Sequence, residues 1–149
     1  MNAYRGAGRR FEFLGEVNGV TIADDYAHHP TELEATLRAA KEMDYKRVWA
    51  VFQPFTYTRT QMLLDDFARV LQIADKVVMT EIMGSRERAE DYAVRTKDLA
   101  AKIPGSVWYD TFDEVVDHVM KNARPGDLVI TLGCGDICKA AKKMVAWEA

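Results

Sequence analysis

The sequence predicts a three-layer, Rossmann-like α/β domain with a mostly parallel sheet and a hairpin-like N-terminal entry. Strand-like and helix-like segments alternate along the chain, which is typical of a parallel sheet covered by helices. The run Leu128–Leu132 is almost entirely apolar, as expected of a strand that is buried on both faces. Near the start, Asn18-Gly19 is a strong signal for a two-residue turn between two strands.

The order of the elements follows from the spacing of apolar residues. Phe11–Val17 and Val20–Asp24 flank the Asn18-Gly19 turn and form the predicted hairpin. Further apolar and β-branched runs predict strands at 47–52, 76–82, 107–109 and 128–132. Apolar residues at helical spacing predict helices at 31–43, 59–73, 96–103, 112–119 and 137–145.

The starts of two helices carry recognisable capping residues. The first helix has two possible starts: Pro30 can be its first residue after a His29 cap, or Thr31 and Glu34 can form a capping box. Thr96 is the expected cap of the short helix near residue 100. His118 falls inside a helical pattern, and we expect it to be an ordinary surface residue.

Composition limits the possible function classes. The chain has 149 residues, 48% of them hydrophobic and 29% charged, which suits one globular domain with its own core. Lys and Arg number 20 against 23 Asp and Glu, so the net charge of −3 argues against binding to nucleic acid or to anionic lipid. No membrane-spanning run or signal peptide is recognisable. Cys134 and Cys138 are expected to be reduced, and the predicted location is cytoplasmic.

The segment Asp24–Glu32 is the strongest candidate site. It brings two carboxylates, a phenol and two of the chain's three histidines to a corner between a strand and a helix. Ligands of open α/β sheets bind beyond the carboxyl ends of the strands, where helix N-termini also favour anions. Each of these side chains taken singly is more often structural than functional. A shared metal ion is not expected, because adjacent residues such as His28 and His29 point to opposite faces.

Two more strand-to-helix corners should open at the same edge of the sheet. Gln53–Thr60 contains Arg59, whose planar fork could hold a carboxylate or a phosphate, although it could also be a surface arginine. The third corner contains Gly133 and Gly135. We expect first that these glycines have a structural role, and second that their backbone lines the cleft. Asp136 can cap the last helix. This turn lacks the third glycine of a dinucleotide fingerprint.

Together these corners resemble the C-terminal domain of UDP-N-acetylmuramate:L-alanine ligases, a family within the Mur ligases. The resemblance covers nearly the whole chain, with residues 1–10 as a linker or domain edge and 11–149 as the single domain. It rests on three motifs in this order: Asp24-Asp25-Tyr26-Ala27-His28-His29-Pro30-Thr31-Glu32, Val51-Phe52-Gln53-Pro54 with Thr58-Arg59-Thr60, and Leu132-Gly133-Cys134-Gly135-Asp136-Ile137.

The resemblance implies an ATP- and Mg²⁺-dependent ligase that joins L-alanine to UDP-N-acetylmuramate through an acyl phosphate during peptidoglycan precursor synthesis. In such enzymes this domain closes over a nucleotide-sugar domain and an ATPase domain. By the same resemblance, Tyr26, His28 and Arg59 would contact the substrates, and Asp25 and His29 would support the ATP or Mg²⁺ side. The resemblance assigns this domain no catalytic residue and no metal ligand.

Two features of the sequence qualify this resemblance. Phe55 and Thr56 stand where many relatives have His followed by Arg or Thr, so a second cation beside Arg59 is missing. The sequence also has no Gly-x-x-x-x-Gly-Lys-Ser/Thr phosphate loop, and the chain alone is therefore expected to be inactive.

Two alternatives remain at this stage. The first is the ligase that reattaches a tripeptide to the same nucleotide during wall recycling, although Tyr26 and Thr31-Glu32 favour the L-alanine family. The second is a non-catalytic α/β module that binds a nucleotide or a partner protein in the same cleft.

Overall fold

A computed structural model describes residues 11–147. The strands are β1 (Glu12–Val17), β2 (Val20–Asp25), β3 (Arg47–Phe52), β4 (Lys76–Thr80), β5 (Val107–Tyr109) and β6 (Asp127–Leu132). The helices are α1 (Pro30–Glu42), α2 (Tyr57–Met62), α3 (Leu64–Leu71), α4 (Thr96–Ala100), α5 (Phe112–Asn122) and α6 (Cys138–Val145). A short 3₁₀ turn spans Ala89–Asp91.

The strands form one six-stranded sheet in the order β1-β2-β6-β3-β4-β5. Only the β1–β2 pair is antiparallel; β2, β6, β3, β4 and β5 run parallel to one another. The last strand of the chain, β6, therefore lies in the centre of the sheet. This arrangement confirms the predicted α/β class with a mostly parallel sheet.

The entry into the sheet is the predicted hairpin. Asn18 and Gly19 have φ angles of 53° and 82°, which a two-residue turn of type I′ requires at both positions. A Cβ at Gly19 would also lie 2.8 Å from the Cβ of Pro125, so no larger residue fits there. The Asn-Gly pair is thus required by both the turn and its packing.

Two apolar layers sandwich the sheet, one on each face. Phe52 on β3 packs with Leu33 and Leu37 of α1 and with Phe67 of α3. On the opposite face, the strands pack against α5 and α6, through Trp49, Val51, Val115, Val119 and Met144. All of these side chains are buried, and each contributes roughly 1.5–3 kcal/mol of hydrophobic stabilisation. This rigid sandwich fixes the positions of the loops at the sheet edges.

The helix predicted at 59–73 is wrong as a single element. The structure has α2 and α3 instead, and Leu63 between them has φ −112° and ψ 23°. The apolar spacing continues through this break, since the Leu63 N–H still bonds to the Arg59 carbonyl at 3.0 Å. Because the apolar residues keep their helical spacing across the break, the sequence pattern alone could not reveal it.

Two predicted caps are also wrong. Thr96 is already inside α4, and its hydroxyl donates to the Thr80 carbonyl at 2.9 Å, while Arg95 is the residue that precedes the helix. Helix α6 begins at Cys138 after Ile137, with no side-chain cap from Asp136. Among residues 11–147, no helix has the length and apolar composition needed to cross a lipid bilayer.

Candidate functional site

Three loops meet at the carboxyl edge of the parallel strands. They follow β2 (residues 26–29), β3 (53–56) and β6 (133–137), and together with Arg59 on the first turn of α2 we call them the rim. β2 and β3 do not pair with each other, because β6 lies between them. The Gly133 N–H donates to the Asp25 carbonyl at 3.3 Å, and the Gln53 N–H donates to the Leu132 carbonyl at 3.1 Å. The end of β6 therefore holds the other two loops on either side of itself.

The two carboxylates at the end of β2 are buried and hydrogen-bonded. Asp25 Oδ1 accepts from Ala27 N–H at 2.8 Å, and Oδ2 accepts from Phe11 N–H at 3.0 Å and from the Thr36 hydroxyl at 3.1 Å. Asp24 Oδ1 accepts from the Thr131 hydroxyl at 2.7 Å. These acids position the loop after β2.

The start of α1 decides between the two predicted caps. His29 is the cap and Pro30 the first helical residue, and His29 Nδ1 accepts from the Thr31 N–H at 3.3 Å. Glu32 Oε1 in turn accepts from the N–H groups of His28 and His29, each at 3.2 Å. The capping box is therefore His29–Glu32 and not Thr31–Glu34. Because Nδ1 of His29 accepts a hydrogen bond, the neutral His29 ring carries its proton on Nε2.

His28 lies between aromatic rings from two loops. Its ring centroid is 5.6 Å from that of Tyr26 and 6.1 Å from that of Phe55, both in edge-to-face geometry. Its Nδ1 lies 3.1 Å from the Tyr26 carbonyl oxygen, which can only accept, so Nδ1 carries the proton in the neutral ring. The lone pair is then on Nε2. Tyr26 is partly exposed, at 41%.

Arg59 stands on a strained turn at the start of α2. Thr56, a β-branched residue, has φ 63° and ψ 145°, a region that favours glycine. The turn is held because Thr56 N–H donates to the Met83 carbonyl at 2.8 Å, and the Thr56 hydroxyl oxygen accepts from Arg59 N–H at 3.2 Å. Within residues 11–147, no ion pair holds the Arg59 guanidinium.

Arg59 and His29 share a surface cavity of about 380 Å³. Its other lining residues are Thr56, Thr58, Met62 and Leu63, with no carboxylate among them. The predicted residues thus fall into two neighbouring groups on one rim. Arg59 and His29 line the cavity, while His28, next to His29 in the chain, packs between Tyr26 and Phe55.

The glycine turn after β6 allows close backbone contact. A Cβ at Gly133 would lie 3.2 Å from the Gln53 carbonyl oxygen, and one at Gly135 would lie 3.0 Å from Gln53 Oε1 and 3.1 Å from Met83 Cε. Gln53 is buried, yet its Oε1 has no hydrogen-bond partner in the described part of the chain, and neither has the buried Oδ1 of Asp136. Sequence reasoning did not single out Gln53, although a lone amide directly after an apolar strand was the available signal.

The loop after β4 adds a residue that the sequence did not indicate. The Glu87 carboxylate accepts from Tyr57 N–H, Thr58 N–H and the Thr58 hydroxyl, and so caps α2. These hydrogen bonds lower the pKa of Glu87, with the Thr58 hydroxyl as the main cause. The segment at 84–88 is therefore an ordered support for α2.

A Mg²⁺ ion does not fit the carboxylates of this rim. Asp25 is buried, and both its oxygens already accept hydrogen bonds, Oδ1 from Ala27 N–H and Oδ2 from Phe11 N–H and the Thr36 hydroxyl. In the described part of the chain, no group of three or more His, Cys, Asp or Glu side chains could hold a metal. Neither Cys134 nor Cys138 forms a disulfide.

The sequence profile of the family described as "Mur ligase, glutamate ligase domain" matches residues 9–135. The chain belongs to this family. It is 43% identical to the UDP-N-acetylmuramate–L-alanine ligase of Acetivibrio thermocellus, over 98% of this chain and 33% of that protein. It is 44% identical to the ligase of the same name from Caldanaerobacter subterraneus, over 97% of this chain and 32% of that protein. The chain thus spans about a third of the length of these curated relatives.

Solved structures of Mur ligases share this fold. A domain from a putative UDP-N-acetylmuramate:L-alanyl-γ-D-glutamyl-diaminopimelate ligase of Haemophilus ducreyi matches with a TM-score of 0.71 and 26% identity, over 92% of this chain and 98% of that domain. A murein peptide ligase of Psychrobacter arcticus matches with a TM-score of 0.73 and 25% identity, over 93% and 29% of the two chains. The UDP-N-acetylmuramate-alanine ligase of Thermotoga maritima, at 24% identity and a TM-score of 0.74 over 93% and 29% of the two chains, supports the fold alone.

Proposed function

We propose that this chain is the C-terminal domain of an ATP-dependent ligase that joins L-alanine to UDP-N-acetylmuramate in peptidoglycan precursor synthesis, in the cytoplasm. Residues 11–149 would form this domain, and residues 1–10 would link it to nucleotide-sugar and ATPase domains. The observation that carries the proposal is the rim, where an imidazole, a phenol and a guanidinium lie at the carboxyl edge of the sheet, the guanidinium without an ion-pair partner among residues 11–147. The names of the relatives at 43% and 44% identity support the choice of L-alanine.

Arg59 is proposed to hold an oxyanion of the substrates. The cavity that it lines contains no carboxylate, so an incoming carboxylate or phosphate oxygen would meet no like charge there. A guanidinium can give two parallel hydrogen bonds to such a group. The backbone of Arg59 is fixed in advance, because its N–H donates to the Thr56 hydroxyl, and this lowers part of the ordering cost when the anion binds.

Tyr26 and His28 are proposed to contact the amino acid and the reacting end. In the neutral ring, His28 Nε2 is a hydrogen-bond acceptor, and an amine is a donor that would match it. When the amine attacks an acyl phosphate, a tetrahedral intermediate forms that loses phosphate and gives the amide. Holding the amine and the acyl group in reacting geometry is the contribution expected of these side chains.

Asp25 and His29 are proposed to support ATP binding indirectly, by holding neighbouring parts of the rim in place. Asp25 fixes the loop that carries Tyr26 and His28, and His29 starts the helix that faces the Arg59 cavity. Gly133 and Gly135 would let backbone line the cleft. ATP would supply the phosphoryl group and Mg²⁺ its charge neutralisation when bound, and both would be held mainly by the preceding domains. The isolated chain is therefore proposed to be inactive.

A domain exchange tests this function. The C-terminal third of the Acetivibrio thermocellus ligase is replaced by this chain, and phosphate release is measured with ATP, UDP-N-acetylmuramate and L-alanine. We expect L-alanine-dependent turnover from the chimera and none from the chain alone. Turnover by the chain alone, or a folded chimera that needs no L-alanine, would refute the proposal.

The same chimera separates the recycling ligase from the L-alanine ligase. L-Alanyl-γ-D-glutamyl-diaminopimelate is supplied in place of L-alanine, with the exchanged domain as the only variable. Faster ligation of the tripeptide than of L-alanine would favour the recycling ligase. A binding module without catalytic use would give a well-folded chimera that is inactive with both acceptors.

A further inference from the structure

A second cavity lies at the opposite edge of the sheet from the rim. It has a volume of about 250 Å³ and is bounded by the amino ends of β3, β4 and β5, by the end of α5 and by the turn before β6. Its polar lining residues are Arg47, Lys76, His118, Asn122 and Arg124, and Trp49 and three valines form much of the rest. We call it the amino-end cavity.

The lining of this cavity is cationic. It contains three positively charged side chains and no carboxylate. Arg47 is neutralised by the buried Asp127, with Nη2 at 2.8 Å from Oδ2. Lys76 and Arg124 are exposed and form no ion pair with any residue in 11–147. Two uncompensated positive charges therefore face one cavity in a chain whose net charge is −3.

Two acids that act electrostatically on residues of this lining already have cationic partners elsewhere. Asp75, whose negative charge raises the pKa of Arg47, forms an ion pair with Lys41 at 2.8 Å. Asp117, beside His118, forms an ion pair with Lys121 at 3.1 Å. The carbonyl of Asn122, at the end of α5, accepts from Arg47 Nη2 at 3.3 Å. Lys76 and Arg124 are thus not needed to neutralise a carboxylate or to cover the end of this helix.

His118 forms a wall of the cavity and is not an ordinary surface residue, so that prediction is wrong. Its ring lies 6.2 Å from the Trp49 ring centroid, and Nδ1 is 2.9 Å from the Tyr109 hydroxyl. Burial is the main cause that lowers the pKa of His118, and Lys76 lowers it further while Asp117 opposes this. The ring is therefore neutral at pH 7 and can offer hydrogen bonds in addition to the two cations.

We propose that the amino-end cavity binds a small phosphate group, held by Lys76 and Arg124 with Arg47 and His118 beside them. Lysine acts on phosphate as a point charge and arginine as a fork, so the pair suits an oxyanion with several oxygens. The volume of about 250 Å³ is below the roughly 300–1,000 Å³ of drug-sized sites, which favours inorganic phosphate or a small phosphate monoester over a nucleotide. The site does not depend on the proposed ligase function.

Amide NMR titrations of the whole 149-residue chain test this site. Inorganic phosphate and glycerol 2-phosphate are added separately at pH 7.5, with NaCl keeping the ionic strength constant. We expect saturable shifts at Val77, Gly105 and Val107, with half-saturation on the order of millimolar because exposed charges are screened. Tighter binding of the monoester would identify an organic phosphate as the occupant, and tighter binding of phosphate would identify the free ion.

Charge-removing variants assign the binding to the two cations. K76Q and R124Q should each weaken binding about threefold to fivefold, the range expected for one exposed charge pair. K97Q removes an exposed charge on α4, away from the cavity, and should change binding by less than about twofold. Shifts that stay linear, shifts centred on the rim, or equal losses in K97Q and K76Q would each overturn the proposal. Both cations are exposed, so the variants should fold, which the spectra report directly.

Discussion

The rings of His28 and Phe55 lie edge to face, with their centroids 6.1 Å apart. This contact joins the loop after β2 to the loop after β3, although the two strands are separated by β6. Phe55 therefore supports His28 through packing.

Removing this ring should loosen His28 without unfolding the domain. For F55A we expect changed ring-proton shifts of His28 and, in the chimeric ligase, a KM for L-alanine raised about threefold to tenfold, because such ring pairs contribute about 0.5–1.5 kcal/mol. F13A removes an exposed ring from β1 and is the matched control. Identical His28 spectra and an unchanged KM in F55A would show that the contact has no role.

The Glu32 carboxylate should be the more important of two acids on α1. E32A removes the acceptor for the N–H groups of His28 and His29 and should lower the free energy of unfolding by about 1 kcal/mol. E34A removes a solvent-accessible pair with Arg38 and a longer one with Arg69, and should cost less than about 0.5 kcal/mol. Urea unfolding of both variants gives the comparison. Equal losses would mean that the capping box does not stabilise the loop.

The backbone strain at Thr56 predicts an unusual order of stability among variants at this position. T56A keeps a Cβ at φ 63° and loses the hydroxyl that accepts from Arg59, whereas T56G also loses the hydroxyl but relieves the strain. We therefore expect T56G to be more stable than T56A by about 1–2 kcal/mol, the opposite of the usual effect of glycine. Thermal unfolding at one pH measures the difference. A more stable T56A would show that this backbone is not strained.

Asp127 should give the domain part of its acid sensitivity. Burial opposes its ionisation, but hydrogen bonds from Arg47, the Arg124 N–H and Trp49 outweigh burial, so the pKa of Asp127 lies below its usual value. A lowered pKa stabilises the fold above the unfolded value of about 3.9 and loses this contribution as the pH falls through the folded value.

The D127N variant measures that contribution. It should be about 2 kcal/mol less stable than the parent at pH 7, and the gap should narrow as the pH falls below about 4. D65N, at a carboxylate that is almost fully exposed and pairs with Lys102, is the control. A stability gap that stays constant from pH 7 to pH 3 would contradict the assigned ionisation.

Much of the fold could be predicted because its signals are local. The Asn18-Gly19 turn, the apolar β6 run and the Pro30 start of α1 each follow from the chemistry of a few adjacent residues. For the rim, the sequence predicted only that three strand-to-helix corners lie at one edge, because the carboxyl ends of parallel strands share an edge of the sheet.

The remaining features depend on partners that are distant in the sequence. Glu87 caps α2 from about 30 residues away, and His118 becomes a cavity wall only through Trp49 and Tyr109. Asp25 is conspicuous in the sequence as an acid at the end of an apolar strand, yet its contacts with Phe11 and Thr36 make it a structural support. Apolar periodicity and capping residues report only on neighbours along the chain. They therefore could not reveal these long-range contacts.

The most direct test of the rim is the kcat/KM of the chimeric ligase with R59A. The account predicts a loss of about 100-fold or more, since a charged group that holds a reacting oxyanion contributes roughly 2.7 kcal/mol or more. The control is R69A, an exposed arginine on α3 whose two ion pairs are both long, at 3.6 Å, and it should retain near-parent activity. An R59A chimera with the kcat/KM of the parent would contradict the account.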